Sequence, residues 1–380
     1  MDHAFLKVMI SDMIRIATVP FYILPVKKNR ILFTGLTGGK SYDYSCNPKY
    51  LYEYMRDHFP GQFEYVWAVS DKKKYAFLEE EGVKLIKHFT VSSFPMLLTS
   101  GVIVTNGSYA PWFPFRKKQY VINTWHGGGA YKRVENDRPD ANWATRRRAE
   151  FCANNIDLFL ASCKMQEENM IRKTFLYKGE VLRAGTPRND RLVNGKLKEM
   201  ADKVRKKYHI PAHGKIILYA PTYRKTSISV ELDSDILLSH MGTEWYLMSR
   251  YHRYQDESMR IHVKGDKVID VMEYPDMQEL LCAADMLITD YSSCVWDYAF
   301  LKRPCFLYVP DKKEYMSNTG FYVSVDQWPF LQAGDMEELL RRIDEYKPDK
   351  AEVLIEEHLR KLGSYETGEC CRKVVDRIYK

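Results

Sequence analysis

A histidine followed by three glycines is the feature of this sequence that most directly suggests acid–base chemistry. It lies in the stretch NTWHGGGAYKR, residues 123–133, at the carboxyl end of a predicted strand. Three consecutive glycines allow close backbone approach and positive φ angles, which an ordinary turn rarely needs. The imidazole of His126 could take a proton from an attacking hydroxyl group, and Lys132 and Arg133 could attract an anionic substrate. A purely structural histidine is the alternative.

A candidate anion site follows another predicted strand. The strand at 286–289 ends at Asp290, and Ser292 and Ser293 open the next helix, while Asp276 is predicted to cap the helix before the strand. Backbone N–H groups and two hydroxyls would then point towards the carboxyl end of the strand, where a diphosphate could bind. Two ordinary helix caps would explain the same residues.

Two arginines and a basic cluster also follow predicted strands. Arg188 lies in GTPRND and Arg224 lies in YAPTYRK, and an arginine in such a place can bind a phosphate through two parallel hydrogen bonds. In SRYHRY, His252 stands between Arg250 and Arg253. Solvated side chains at a helix start or on a helix face are the alternative in each case.

Two apparent motifs do not predict a site. The stretch TGLTGGKS has Thr34 where a phosphate-binding loop needs glycine, and the residues after it do not read as an apolar helix. The eight cysteines show no C-x-x-C spacing, and several lie in apolar runs, as is typical of reduced core cysteines in a cytosolic protein. Because no carboxylate cluster for Mg²⁺ is recognisable either, we expect no metal and no other cofactor.

Alternating strands and helices must position these residues. The predicted strands are residues 31–35, 63–68, 83–86, 102–105, 121–125, 158–161 and 181–184, and then 216–219, 261–264, 286–289 and 305–308. Asn47 and Pro48 are predicted to open a helix, as N-cap and first-turn proline. Such a series favours parallel sheets with helices on both faces, and the polar stretch 193–215 is typical of a linker between two domains.

The length of the chain indicates the number of domains, and its charge indicates the classes of partner. A chain of 380 residues is longer than one hydrophobic core usually supports, which favours two domains. The 57 Lys and Arg against 50 Asp and Glu give a formal charge of +7, which suits a nucleotide, a phosphorylated substrate or an acidic lipid surface. Because the basic residues are dispersed, we do not expect nucleic acid as a partner.

The first 25 residues predict an amphipathic helix. The polar stripe is His3, Lys7, Ser11, Arg15 and Thr18, and apolar residues lie off this stripe. The charges make a membrane-spanning helix improbable, and no signal-peptide cleavage site follows. A helix lying in the interface of an anionic membrane and a helix packed on the core of the protein are both compatible with this pattern.

Taken together, these segments resemble the CDP-glycerol glycerophosphotransferase family, the primases and polymerases of teichoic acid and related bacterial surface glycans. The resemblance rests on NPKYLYEY, TWHGG, GTPRND, YAPTYR and ITDYSS with WDYAFLKRP, in the family's order over roughly residues 31–330. It implies an α/β, GT-B-like fold with two Rossmann-like, doubly wound domains and a cleft between them. The expected parts are a membrane-associating segment at 1–28, an acceptor-side domain at 29–192 and a donor-binding domain at 193–380, whose last helix could pack back on the first domain.

The resemblance also implies roles for single residues. His126 would be the base that deprotonates the acceptor hydroxyl, and His252 would lie near the donor phosphates. The donor site is implied to contain Arg188, Arg224, Asp290, Ser292, Ser293 and Asp297. The acceptor side is implied to contain Gly127, Gly128, Lys132 and Arg133. The chain departs from the usual family pattern directly after TWHG, where Gly128 and Gly129 stand.

The implied reaction is attack by a hydroxyl of a lipid-linked glycan or polyol-phosphate acceptor on CDP-glycerol, with release of CMP. It would take place at the cytoplasmic face of the cell membrane, on a peripherally bound enzyme. Because little of the chain lies outside the two domains, a single, primase-like transfer is favoured over long polymerisation. The alternatives are transfer from CDP-ribitol, glycosyl transfer from a nucleotide sugar, and a non-catalytic scaffold protein, against which His126 and the two serines speak.

Overall fold

The chain folds into two compact units. The computed structural model describes residues 3–37, 41–88, 90–109, 113–127, 131–195, 197–222, 224, 232–251 and 265–379. Unit 1 consists of Met1–His126, Arg133–Asp190 and Tyr365–Lys380, and unit 2 consists of Gly127–Lys132 and Arg191–Ser364. The chain therefore passes into unit 2 directly after His126 and returns to unit 1 at Arg133. The predicted strand at 261–264 lies outside the described residues.

The strands and helices alternate along most of the chain. The strands are β1 Lys27–Thr34, β2 Leu36–Thr37, β3 Ser41–Tyr42, β4 Glu64–Val69, β5 Lys84–Lys87, β6 Ser100–Thr105, β7 Tyr120–Asn123, β8 Leu158–Ala161, β9 Glu180–Arg183, β10 Lys215–Tyr219, β11 Trp245–Ser249, β12 Val268–Asp270, β13 Met286–Thr289, β14 Cys305–Tyr308 and β15 Leu331–Ala333. The helices are α1 His3–Thr18, α2 Cys46–His58, α3 Phe77–Glu80, α4 Phe94–Thr99, α5 Trp143–Asn155, α6 Asp190–Val193, α7 Leu197–Lys207, α8 Ser234–Met241, α9 Met277–Ala283, α10 Cys294–Ala299, α11 Lys312–Thr319, α12 Met336–Asp344, α13 Pro348–Leu362 and α14 Cys370–Ile378.

Unit 1 is built on a parallel sheet. Among the described residues its strand order is β5-β4-β1-β6-β7-β8-β9, and every pairing in it is parallel. Apolar side chains are buried on both faces, for example Phe33 and Trp67 in one core cluster and Leu32 and Val66 in another. All seven strands predicted for this part of the chain are present. The strand order reverses between β1 and β6, which is the point where open α/β sheets usually bind ligands.

The start of α2 differs from the prediction. Asn47 was expected to cap this helix, but the helix begins at Cys46 and Ser45 occupies the N-cap position. Asn47 is fully buried, and its side-chain amide donates to the main-chain carbonyls of Thr124 and Trp125 at 3.2 and 2.8 Å. The side chain of Asn47 therefore stabilises the loop after β7 and does not cap the helix.

The GTPRND stretch fastens α14 to unit 1. The Asp190 carboxylate accepts the backbone N–H groups of Cys370 and Cys371 at 2.8 and 2.7 Å. These are unpaired donors of the first turn of α14, so Asp190 caps the helix across a large sequence separation. Glu366 in turn accepts the backbone N–H and the hydroxyl of Thr186 at 3.0 and 2.9 Å. The carboxyl-terminal helix is thus an integral part of unit 1.

Unit 2 repeats the architecture. Among the described residues its parallel sheet has the order β12-β11-β10-β13-β14-β15. The strands predicted at 216–219, 286–289 and 305–308 are present, whereas β11, β12 and β15 were not predicted. Two of these have only three residues, and the Trp, Tyr, Leu and Met of β11 do not distinguish a strand from a buried helix. The order reverses between β10 and β13.

Helix α1 turns its apolar side outwards. The large apolar residues exposed in this segment are Met9, Ile10, Met13, Ile16, Val19, Phe21 and Ile23. Two members of the polar stripe, Ser11 and Thr18, are buried instead. Asp12 forms an ion pair with Arg147 of α5 at 2.8 Å, and the Arg15 guanidinium lies over the ring of Phe151. These polar contacts join α1 to α5. Within the described residues, no helix combines the length and apolar character needed to cross a membrane.

Candidate active site

His126 lies just beyond the carboxyl end of β7, in a turn that the surrounding residues hold in an unfavourable conformation. Trp125 has φ = 50°, a left-handed conformation that a bulky residue seldom adopts. Its backbone N–H donates to the side chain of Asn123 at 2.8 Å, and its carbonyl accepts from Asn47 at 2.8 Å. Strain of this kind persists only where the surroundings fix it, and it is common at functional sites.

The hydrogen bonds of His126 suit a general base. Nδ1 lies 2.7 Å from the main-chain carbonyl oxygen of Asn106, which can only accept, so Nδ1 must carry the proton. Nε2 is then a lone-pair acceptor, on a residue that keeps exposed surface. Desolvation by surrounding protein atoms and the nearby Arg188 charge lower the pKa of His126 from 6.5, against opposing effects of the Asn106 bond and of Glu135. The imidazole is therefore neutral near pH 7.

Arg188 supports the backbone of His126. Its guanidinium donates to the His126 carbonyl oxygen at 2.6 Å and to Cys46 Sγ at 3.3 Å, and its backbone N–H donates to Asn47 at 3.2 Å. The side chain is almost completely buried. Arg188 was expected in the donor site with Arg224, but the structure places it in unit 1, in contact with His126. Its bonds to protein groups indicate a positioning role.

A buried ionic cluster lies where the strand order of unit 2 reverses. Arg224 follows β10, Asp290 follows β13 and Asp311 follows β14. The Arg224 guanidinium lies 2.8 Å from an Asp290 oxygen and 2.6 and 3.2 Å from the two oxygens of Asp311. Thr222 donates its backbone N–H and hydroxyl to Asp290 at 2.9 and 2.7 Å. Burial alone would lower the pKa of Arg224, but the two carboxylates outweigh this effect and raise it.

The cluster changes the interpretation of Arg224 and Asp290. Four of the five guanidinium N–H groups are already engaged by described residues, and Asp311 occupies the two-pronged face that was expected to bind phosphate. One guanidinium and two carboxylates also leave the cluster with one net negative charge. Arg224 can therefore line an anion site, but its positive charge is already balanced by the two carboxylates of the cluster.

The serines remain accessible and Asp297 does not. Ser292 is half-buried and Ser293 is exposed, directly before α10. Asp297 is 2% exposed, and its carboxylate accepts a hydrogen bond from Gln278 at 2.9 Å. Asp297 was expected to contact the donor, but it lies inside unit 2 and stabilises the packing of α9 and α10. Asp276 caps α9 as predicted, through bonds from Gln278 and Glu279.

The residues expected on the acceptor side are divided between the units. Gly127 and Lys132 belong to unit 2, and Arg133 is an exposed residue of unit 1. The Lys132 ammonium donates to the Tyr315 hydroxyl at 3.0 Å. His252 and Gly128 lie outside the described residues.

An open cavity of about 800 Å³ adjoins the ionic cluster. It lies at the carboxyl ends of β14 and β15, and Asp311, Lys312, Lys313 and Arg342 are among its lining residues. Asp311 both lines this cavity and belongs to the ionic cluster with Arg224. Within the described residues, no group of three or more His, Cys, Asp or Glu side chains could hold a metal ion.

Several residues of the site were not recognised in the sequence. Asn106 follows β6 and Asp311 follows β14, so the same rule that found His126 and Asp290 could have found both. Tyr315 lies inside a helix and nothing local distinguishes it from an ordinary helix residue, whereas Asn47 was recognised only as a helix cap. Their contacts depend on residues distant in the sequence.

Comparison with known proteins adds an independent line of information. A family model described as CDP-Glycerol:Poly(glycerophosphate) glycerophosphotransferase matches residues 16–380. The teichoic acid poly(glycerol phosphate) polymerase of Bacillus spizizenii is 27% identical over 390 aligned positions, which cover 97% of this chain and 97% of that protein. The Bacillus subtilis protein of the same name is 29% identical over 374 positions, which cover 94% of this chain and 49% of the relative. The chain therefore spans about half the length of that second relative.

The fold agrees with this relationship. The structure of the wall teichoic acid polymerase TagF superimposes with a TM-score of 0.81 at 26% identity, covering 100% of this chain and 98% of that one. The GT-B-like architecture expected from the sequence, with two doubly wound parallel sheets, is thereby confirmed. Because the family model matches almost the entire chain, this protein belongs to the CDP-glycerol:poly(glycerophosphate) glycerophosphotransferase family.

Proposed function

We propose that this chain transfers glycerol phosphate from CDP-glycerol to a hydroxyl of a lipid-linked acceptor in the synthesis of a bacterial surface polymer. The observation that carries the proposal is the geometry of His126. A backbone carbonyl holds Nδ1 in its protonated form, so that Nε2 is left as the acceptor for a proton. Membership of the family makes CDP-glycerol the expected donor.

In the proposed step, the acceptor hydroxyl gives its proton to Nε2 of His126 while its oxygen bonds to the phosphorus that carries the glycerol. The anhydride bond between the two phosphates breaks, and CMP leaves with the bonding electron pair. Such a transfer depends mainly on positioning and on neutralising charge on the phosphates. The strained Trp125 and the buried Arg188 serve the first requirement, because they fix the backbone on either side of the imidazole.

Unit 2 is the part of the chain that we assign to the donor. Arg224 and Asp311 meet near the sheet's reversal point, beside a cavity large enough for a nucleotide. Ser292 and Ser293 end the loop that starts at Asp290, and their hydroxyls are accessible. His252, outside the described residues, remains a second candidate for contact with the donor phosphates.

Glycerol is favoured over ribitol because both polymerases compared above are named for glycerol phosphate. Transfer from CDP-ribitol or from a nucleotide sugar would use the same fold and a similar base. The donor must therefore be tested directly.

We further propose that α1 binds an anionic membrane surface, where a lipid-linked acceptor would be located. Seven large apolar residues between Met9 and Ile23 are exposed to solvent, an arrangement that costs free energy unless a partner covers them. Arg116 donates hydrogen bonds to the main-chain carbonyls of Tyr22 and Leu24, at the end of the apolar segment. The next two residues of the chain, Lys117 and Lys118, are exposed and therefore lie near this end. Apolar side chains flanked by cations are typical of helices that lie in an anionic interface.

The transfer reaction is tested by measuring CMP release from CDP-glycerol, CDP-ribitol and a nucleotide sugar, each with a lipid-linked glycan acceptor. We expect acceptor-dependent CMP release from CDP-glycerol, and a decrease of about 10²- to 10⁴-fold in the His126→Asn variant, which loses the base. His213→Asn is the matched control, because His213 is an exposed histidine of unit 2 remote from both candidate sites.

Equal rates for the His126→Asn variant and the wild-type protein would refute the role of His126. Release of CMP from CDP-ribitol alone would replace the proposed donor. Turnover of only the nucleotide sugar would identify a glycosyltransferase.

A further inference from the structure

The segment Tyr131–Lys132 is built into unit 2. Lys132 pairs with Phe321 in a short antiparallel bridge, and the Tyr322 backbone N–H donates to the Tyr131 carbonyl at 2.6 Å. On the basis of the function proposed above, we propose that Lys132 binds the diphosphate of the donor nucleotide and neutralises its charge. The resemblance to the family implies a place on the acceptor side instead.

The ionic cluster of unit 2 lacks positive charge for a phosphate ligand. The cluster at the carboxyl edge of the sheet contains Arg224, Asp290 and Asp311, all with side chains at most 6% exposed, and carries one net negative charge. A donor diphosphate brings further negative charge to this edge, so a cation beyond Arg224 is needed there. Within the described part of the chain, no carboxylate lies within ion-pair distance of the Lys132 ammonium. Its charge is therefore not cancelled by a protein anion.

Lys132 and Arg224 contact the same tyrosine ring. The Lys132 ammonium lies 5.3 Å from the centroid of the Tyr315 ring, and the Arg224 guanidinium lies 4.7 Å from the centroid of the same ring. Tyr315 also stacks on Tyr291, at 4.0 Å between centroids and 9° between ring planes. Tyr291 is followed directly by Ser292. One pair of stacked rings thus connects Lys132 with Arg224 and with the residue that precedes Ser292.

Buried contacts hold the segment that carries Lys132 in place. The ring of Tyr131 is 4% exposed and stacks on Trp296 of α10, at 3.9 Å and 8°. Its hydroxyl lies 2.9 Å from Nε2 of His358. Burial lowers the pKa of His358 to about 4, so the imidazole is neutral at neutral pH and this contact is a hydrogen bond between two uncharged side chains. Tyr131 is therefore a positioning residue that fixes the backbone next to Lys132.

These features match what a phosphate ligand requires. A lysine ammonium is a compact charge with three donors, and only the Tyr315 hydroxyl accepts from it among the described residues. The remaining donors can reach phosphate oxygens. Because the charge on the departing CMP phosphate increases as the anhydride bond breaks, a fixed cation would stabilise the transition state more than the bound donor.

The test is the affinity of the purified full chain for CDP-glycerol and for cytidine, measured by titration calorimetry. We expect Lys132→Gln to weaken CDP-glycerol binding by about tenfold or more, because a charge-assisted hydrogen bond is lost, and to leave cytidine binding unchanged. Lys132→Arg should recover most of the affinity. Lys207→Gln is the matched control, since Lys207 also lies over tyrosine rings of unit 2, at 5.0 Å from the Tyr274 centroid, and it should bind like the wild type.

Two results would overturn the proposal. If Lys132→Gln binds CDP-glycerol as tightly as the wild type while the KM for the acceptor rises, Lys132 acts on the acceptor. If the variant loses cytidine and CDP-glycerol affinity equally, the effect is a general disturbance of unit 2. Failure of the proposed function looks different, because the wild-type protein itself would then not bind CDP-glycerol, which overturns both proposals.

Discussion

Arg188 donates a hydrogen bond of 2.6 Å to the main-chain carbonyl of His126, and this bond joins the GTPRND stretch to the candidate base. The two residues are 62 positions apart in the chain. An arginine that follows a strand is easily taken for a phosphate ligand. Here the guanidinium is buried among protein acceptors, and its positive charge also contributes to the electrostatics of the imidazole.

Replacing Arg188 should slow catalysis without weakening donor binding. We expect Arg188→Met to lower kcat by about 10- to 100-fold, because an imidazole whose backbone shifts slightly loses its alignment with the acceptor. The unpaired carbonyl of His126 should also cost about 1–3 kcal/mol of unfolding free energy. Steady-state kinetics and denaturant unfolding measure the two effects. A decrease in CDP-glycerol affinity with kcat unchanged would instead place Arg188 in the donor site.

The pH dependence of the reaction should report the lowered pKa of His126. A general base works in its neutral form, so kcat/KM should fall as the pH drops through the pKa of His126, and this acidic limb should lie below pH 6.5. In Arg188→Met the limb should move to higher pH, because a neighbouring positive charge that disfavours imidazolium is removed. The pH–rate profiles of both proteins test this. A limb that does not respond to the substitution would show that another group titrates.

Charges placed on the exposed apolar residues of α1 and of the turn that follows it should release the protein from anionic membranes. Ile16 and Ile23 are 72% and 85% exposed. We expect the double variant Ile16→Glu, Ile23→Glu to lose most of its binding to phosphatidylglycerol vesicles in a flotation assay, since it buries less apolar surface and meets like charge. Val353→Glu is the control, because Val353 is 54% exposed on α13, in unit 2. Equal loss in all proteins, or none, would exclude α1 as the binding element.

Gly185 at the start of the GTPRND stretch should tolerate no side chain. It has φ = +86°, and a Cβ atom there would overlap a carboxylate oxygen of Glu366, which is itself bonded to Thr186. Gly82 has almost the same φ, +83°, with nothing within 4 Å of the added atom. We expect Gly82→Ala to cost about 1–2 kcal/mol, the price of the left-handed conformation alone, and Gly185→Ala to cost clearly more. Denaturant unfolding of the two variants separates the cost of the backbone conformation from the cost of the overlap with Glu366. Equal losses of unfolding free energy would show that the Glu366 side chain moves aside at no cost.

Much of the architecture could be predicted from the sequence, because its signals are local. Apolar runs of four to six residues bounded by polar turns predicted all seven strands of the unit 1 sheet, and Asp276 was recognisable as a helix cap. The rule that ligands lie after the carboxyl ends of parallel strands led to His126 and Asp290. These predictions need only the chain order and the preferences of single residues.

Other features were decided only by tertiary packing. Arg224 meets Asp311, 87 positions away, and this ion pair occupies the guanidinium face that the sequence suggested for phosphate. Lys132 follows His126 by six residues, yet it lies in the other unit because Tyr131 is buried against Trp296. Asp12 of α1 pairs with Arg147 of α5, which lies 135 positions away in the chain. In each case, the partner that determines the role of the residue is distant in sequence. A local pattern of spacing or charge therefore cannot predict that partner.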